Sequence, residues 1–206
     1  MYNTIKENAS YEIVEKKSKF IGNVFYIETK EEAENIIKEQ KKKYHDARHN
    51  CWAYRVMENG NIIEKSSDDG EPSGTAGAPM LNILSKENIL NTLVIVTRYF
   101  GGILLGTGGL VKAYSEATKL ALNEAKIAKV DNGYIYDIEI NYSDLENLKY
   151  FIKNNEINIL KEEYFENVKL SVFVPENKTD CFKTEKINSL NIIKIEKDEK
   201  SYTKKH

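Results

Sequence analysis

Cysteine is almost missing from this chain: Cys51 and Cys181 are the only two in 206 residues. A pair so far apart makes neither a disulfide framework nor a CxxC set of metal ligands, and a reducing cytoplasm is the expected setting. No apolar run approaches the roughly 20 residues that a membrane-spanning helix requires, so no membrane partner is expected. The opening MYNTIKENASYEIVEKK has neither a cationic patch ahead of an apolar core nor an Arg-rich amphipathic pattern, and no export or organelle address is read there. A surplus of positive charge is lacking too. Thirty Lys and Arg against 32 Asp and Glu give a net charge of −2, which excludes nucleic-acid binding by overall charge and leaves only a local basic face.

What is present is a globular mixture, 41% hydrophobic and 30% charged, long enough for two small domains that each bury a core. Residues 19–28 are apolar on both parities, as in a mostly buried strand. Thr29 and Glu32 have capping-box spacing, and Ala33, Ile36, Ile37 and Tyr44 continue as a helical stripe closed by Lys41, Lys42 and Lys43. Two strands, 51–57 and 62–65, flank the turn-forming Glu58-Asn59-Gly60-Asn61. A short helix is predicted over 76–84, a buried strand over 93–97, and after Thr107 a long helix with Leu110, Ala113, Tyr114, Ala117 and Ala121 inward.

The composition changes at 129–133, which sets the expected domains at 1–130 and 131–206. The second part reads as strand from Tyr134, a helix opened by a Ser143/Glu146 capping box, strands 157–164 and 168–174, a short helix 176–188 and a strand 191–196. That βαββαβ order is ferredoxin-like. The tail 198–206 is expected to fray. The fold class is therefore α+β, a β-α domain followed by a small ferredoxin-like one.

Two segments carry the candidate chemistry. Ser66 to Gly77, SSDDGEPSGTAG, crowds Asp68, Asp69 and Glu71 together with three glycines. Gly74 frees the backbone, while Ser73 or Thr75 can cap the following helix and leave its amides for an anion. The same carboxylates could hold Mg²⁺, but EF-hand spacing is absent, and pairing or capping within the protein is the plainer reading; Arg48 is a candidate partner for Asp68 or Asp69. Thr97 to Gly109, TRYFGGILLGTGG, lies between a buried strand and a long helix, where the amides of Gly101, Gly102, Gly108 and Gly109, with Thr107, can converge on a phosphate. Arg98 can grip phosphate in bidentate fashion and Tyr99 can stack on a base. Neither the P-loop nor the dinucleotide GxGxxG pattern is present. His45 and His49 lack the Glu of HExxH, so no metal is expected; His49 reads as part of a polar edge beside the acidic loop. Cys51 reads as a buried strand residue rather than a nucleophile, and Ser73 lacks GxSxG context.

Lys17-Ser18-Lys19-Phe20, Ala47-Arg48-His49-Asn50-Cys51, the run Asp68–Gly77, Thr97-Arg98-Tyr99-Phe100-Gly101-Gly102 and the run Leu105–Tyr114 occur in the order seen in the YigZ/IMPACT family, which this chain resembles over most of residues 15–125. The resemblance implies a first domain of the β-α type shared with a ribosomal protein and translation factors, and a second similar to the last domain of elongation factor G. Eukaryotic members regulate translation by interfering with activation of a starvation-responsive kinase, through an arrangement with an additional N-terminal domain not found in this sequence. Leu104 and Lys112 stand where relatives commonly carry Lys and Arg, which reduces the basic character of the site. The expectation is a non-enzymatic, cofactor-free, translation-linked protein that binds RNA or a ribosomal component through Arg48, Arg98, Tyr99, Lys112 and the glycine amides. The alternatives are a Mg-dependent enzyme acting on a small phosphorylated compound or nucleotide and a protein-docking module.

Overall fold

A computed structural model describes residues 2–183 and 190–205, and the chain divides into two compact units between Lys129 and Val130. The first unit is built on a five-stranded antiparallel sheet. Strands β2 (Ala9–Glu15), β3 (Ser18–Tyr26), β4 (His49–Glu58), β5 (Asn61–Ser67) and β6 (Thr92–Tyr99) lie in the order β2-β3-β6-β4-β5. A short strand, β1 (Tyr2–Ile5), precedes them. Strands β1 and β2 are not foreseen in the sequence, because β1 is only four residues long and β2 buries little of its surface at the sheet edge.

Helices cover both faces of the sheet. Helix α1 (Lys30–Lys43) packs Ala33 and Ile37 against Ile27, Tyr54, Val56, Leu93 and Ile95. On the opposite face, α2 (Gly77–Lys86) and α3 (Gly106–Glu124) bury Met80, Leu84, Leu110, Tyr114 and Ala117 against Phe20, Val24, Val94 and Val96. Alternate residues of β6 therefore enter different cores, which is why the run Leu93–Val96 is apolar without interruption. The predicted inward face of α3 is the buried one. Its small residues admit a close approach: a Cβ on Gly22 would lie 2.8 Å from the Ala117 carbonyl oxygen.

Local chemistry accounts for most element ends. Thr29 Oγ1 accepts from the Glu32 amide at 3.1 Å, and the Glu32 carboxylate reaches back to the Glu28 amide at 2.8 Å. Asn59 and Gly60, both at positive φ, turn the β4-β5 hairpin. Arg55 closes the far end of α2, its Nη1 donating to the carbonyls of Leu84 and Ile89 at 3.1 Å each.

In the second unit, β7 (Ile127–Ile140), β8 (Asn158–Tyr164), β9 (Val168–Pro175) and β10 (Ile192–Lys205) run antiparallel in the order β10-β7-β9-β8. Helix α4 (Tyr142–Asn154) buries Leu145, Leu148, Phe151 and Ile152 against them. This is the ferredoxin-like order with three departures from the sequence reading. The Ser143/Glu146 capping box does not form: Asn141 is the N-cap, and Ser143 donates within the first turn to Asp144. The second helical segment is a 3-10 helix over Glu176–Lys183, and the remainder of the predicted helix lies outside the described residues. The tail does not fray. Residues through Lys205 pair with β7, whose backbone groups along its first half offer the tail a ladder that an isolated terminus lacks.

Candidate functional site

Chain register gathers the candidate residues at one end of the first sheet. Phe20 and His49 both pair with Arg98, and Lys19 pairs with Tyr99, so the starts of β3 and β4 meet the end of β6. The acidic loop arrives there from the end of β5, and the Gly-rich loop departs from there into α3.

Each carboxylate of the acidic loop is engaged inside the protein. Asp68 accepts from three backbone amides, Gly74 at 2.9 Å, Ala76 at 3.0 Å and Gly77 at 2.8 Å. Burial pushes its pKa up, but the three amides outweigh that and hold it below the usual aspartate value. Its stabilisation is therefore complete at neutral pH and is lost as the pH falls through the lowered folded value. Neither Ser73 nor Thr75 caps α2 as expected: Ser73 is exposed, and the Thr75 hydroxyl donates to the Pro72 carbonyl at 2.6 Å. A carboxylate from the chain itself occupies the amide nest that the sequence offered to an external anion.

Asp69 accepts from the Asn50 amide at 2.7 Å and from Lys41 at 2.5 Å, so Lys41 of α1, rather than Arg48, neutralises this loop. Its backbone carbonyl lies 2.9 Å from His49 Nδ1. Glu71, whose side chain is 3% exposed, sits deepest; its Oε1 accepts from Arg98 Nη1 at 2.7 Å and from the Tyr114 hydroxyl at 2.9 Å. Next to this centre the Cys51 thiol donates to the Asp68 carbonyl at 2.9 Å, and burial pushes its pKa up to about 12. A thiol so placed is a structural group at neutral pH. Among the described residues no three His, Cys, Asp or Glu side chains gather in a way that could hold a metal ion.

Arg98 is 5% exposed, with its guanidinium between the rings of Phe20 and Phe100 at 5.4 and 5.5 Å and its Nη2 3.4 Å from Ser18 Oγ. It is an anchor within the fold, not a free phosphate ligand. Tyr99 lies partly open, its hydroxyl donating to Asp46 at 2.8 Å and its ring under Lys19. Gly101 rests on the backbone of Lys17 and donates its amide to Ser18 Oγ at 3.1 Å. Phe100, just before it, is exposed, and beyond it the loop turns outward, exposing Ile103 and, at 83%, Leu104.

Helix α3 then starts without a cap. Leu105 at the N-cap position offers no side-chain bond, and the first turn holds no acidic residue. The amides outside the helix ladder are those of Leu105, Gly106, Thr107 and Gly108, whereas the amide of Gly109 is the first within it. Thr107, Gly108 and Lys112 are exposed, as is Arg48 at the same sheet end. Gly102 and Gly106, both at positive φ, shape the approach.

Four motifs that are separate in sequence thus interlock: Ser18 and Phe20, His49 and Cys51, Asp68 to Glu71, and Arg98 to Gly101. Residues 16–122 match the Impact N-terminal domain, and residues 138–188 match a domain of unknown function, DUF1949. This chain belongs to the IMPACT family. It is similar to the IMPACT family member YvyE of Bacillus subtilis, with 39% identity over 181 residues, 88% of this chain and 83% of that protein. The family member YigZ of Escherichia coli is 34% identical over 81% of this chain and 82% of its own length. A crystal structure of a hypothetical protein, 31% identical, matches with a TM-score of 0.59 over 95% of this chain and 97% of that one.

Within the IMPACT fold the shared motifs have a direct physical reading. The ion pair of Glu71 and Arg98 fastens the acidic loop to the sheet, and Ser18 and Gly101 fasten the Gly-rich loop to the β2-β3 turn. The sequence shows Ser18, Tyr114 and Lys41 only as motif or helix residues and does not reveal their partners, which lie 28 to 83 positions away.

The β2-β3 turn adds one more feature. Lys16 and Lys17 both hold positive φ, 45° and 65°, in a two-residue turn where Asn-Gly would be relaxed. Replacing the pair by Asn-Gly is expected to raise stability by at least about 1 kcal/mol. The urea midpoint followed by fluorescence of Trp52, the sole tryptophan, measures it.

Proposed function

We propose that this protein is a non-enzymatic, translation-linked regulator that binds RNA or a ribosomal component at the end of the first sheet. The observation that carries the reading is the contrast between two helix starts. At α2 the amides are spent on Asp68, whereas α3, nineteen residues long, begins uncapped and free of acidic residues. Phosphate is the chemistry such a terminus favours. Lys16 and Lys17 in their strained turn, Arg48 and Lys112 supply exposed cations, and Tyr99 and Phe100 supply ring faces for bases. Arg98 supports this surface from beneath. The translational setting follows from the family, whose eukaryotic members regulate translation. The phosphate-ester enzyme is the weaker reading, since Asp68, Asp69 and Glu71 are each committed to amides, Lys41, Arg98 or Tyr114.

The discriminating variant is Thr107→Asp. An acid in the first turn complements the helix dipole, so stability is expected to hold or to rise by about 0.3–1 kcal/mol. The same charge repels phosphate, and binding of a labelled single-stranded RNA or co-sedimentation with ribosomes is expected to weaken roughly tenfold at low salt. Leu104→Lys, which adds a cation at an exposed position, is expected to strengthen it. Unchanged binding in both variants would remove α3 from the interface.

A further inference from the structure

A second feature of the first unit runs from Gly74 of the acidic loop along α2 and α3. Where α2 and α3 lie side by side on the sheet, their outward faces leave an open groove of about 530 Å³. Pro79 and Ile83 from α2 and Val111 from α3 form its floor, and Val111 is 37% exposed on a helix whose other apolar residues are mostly buried. Ala78 of α2 and Ser115 of α3 add small side chains to the lining. Lys86 and Lys119 stand over the far end, with Glu87 the one acid in the lining.

We infer that this groove is a docking surface for a short acidic segment of a partner protein that carries an aliphatic anchor. Charge complementarity selects the occupant. Two lysines on adjacent helices, one in the last turn of α2 and one midway along α3, face a common space that one glutamate does not neutralise. The apolar floor beneath them requires a ligand that is both anionic and apolar, which an acidic peptide supplies. RNA fits less well, because the lining contains no aromatic ring for stacking and no arginine. From Val111 to Lys119 the wall is about 12 Å long at helical rise, the length of two helical turns or about four extended residues. The surface is separable from the RNA reading: its two lysines and its apolar residues lie along the helices beyond the open amides of Leu105 to Gly108, and only Gly74 comes from the acidic loop.

The test uses the full chain and two pools of twelve-residue peptides, one drawn from Asp, Glu, Leu, Ile and Ala, the other with Lys and Arg replacing the acids. Amide chemical shifts are followed by NMR. Acidic peptides are expected to bind at least tenfold more tightly than basic ones, with shifts confined to Ala78, Asn82, Val111, Ser115 and Lys119. Lys86→Glu combined with Lys119→Glu, two surface changes that leave the core intact, is expected to reverse that preference. Thr107→Asp is expected to leave peptide binding unchanged, which separates this surface from the RNA reading. Equal binding of both pools, shifts elsewhere on the protein, or displacement of peptide by single-stranded RNA at these same residues would overturn the inference.

Discussion

Glu71→Ala is expected to destabilise the first unit by about 3–5 kcal/mol, the cost of leaving one partner of a buried ion pair without the other. Arg98 and Tyr114 share a single oxygen, Glu71 Oε1, and the Arg98 Nε already lacks a hydrogen-bond partner among the described residues, so removing the carboxylate leaves a buried cation with the Ser18 hydroxyl and two aromatic rings but no counter-charge. A domain of ordinary stability has about 5–15 kcal/mol in total, and a loss on this scale brings it close to partial unfolding. Glu71→Gln retains an acceptor and removes the charge, so its cost falls between wild type and alanine. Urea unfolding followed at Trp52 measures both, and a loss under about 1 kcal/mol for Glu71→Ala would show that the pair is solvated rather than structural. Arg98→Ala carries the same liability. A fall in RNA binding by that variant reports unfolding unless stability is measured beside it, which is why Thr107 is the informative position.

Gly101→Ala is expected to be at least as damaging, about 3 kcal/mol or more, because its Cβ would stand 2.0 Å from the Lys17 carbonyl carbon and 2.1 Å from its oxygen. Both obstacles are backbone, so no rotamer change relieves them. Its neighbours in the motif form a graded control. Gly102→Ala meets open space but holds φ at +82°, a cost of about 1–2 kcal/mol. Gly108→Ala meets nothing within 4 Å at ordinary helical φ and is expected to stabilise by about 0.5–1 kcal/mol. Thermal or urea unfolding of the three variants should rank them in that order. A Gly101→Ala protein within 1 kcal/mol of wild type would mean that the loop is not seated on the Lys17 turn.

The two glycine-rich motifs are informative about how function is read from sequence. The density of glycines and acids in SSDDGEPSGTAG pointed correctly to a special backbone, but to the wrong recipient of its amides. Spacing could not reveal that Asp68 folds back onto Gly74, Ala76 and Gly77, nor that Lys41, rather than Arg48, reaches Asp69. In TRYFGGILLGTGG the sequence points to the amides of Gly101, Gly102, Gly108 and Gly109, but of these Gly101 is bonded to Ser18 and Gly109 belongs to the helix ladder, and the burial of Arg98 is not legible there at all. Arg98 shares a strand with Val94 and Val96 and points to the same face, a placement that only the register of β6 against β3 and β4 decides.

From its sequence alone the chain is a two-part α+β protein of the IMPACT family, because hydrophobic periodicity and ordered motifs are local properties that survive without a fold. Which charges remain available to a partner was settled by tertiary structure. Asp68 is satisfied by amides of its own loop and Asp69, Glu71 and Arg98 by groups distant in the chain, while Thr107, Gly108, Arg48 and Lys112 meet no such group among the described residues and stay open to solvent.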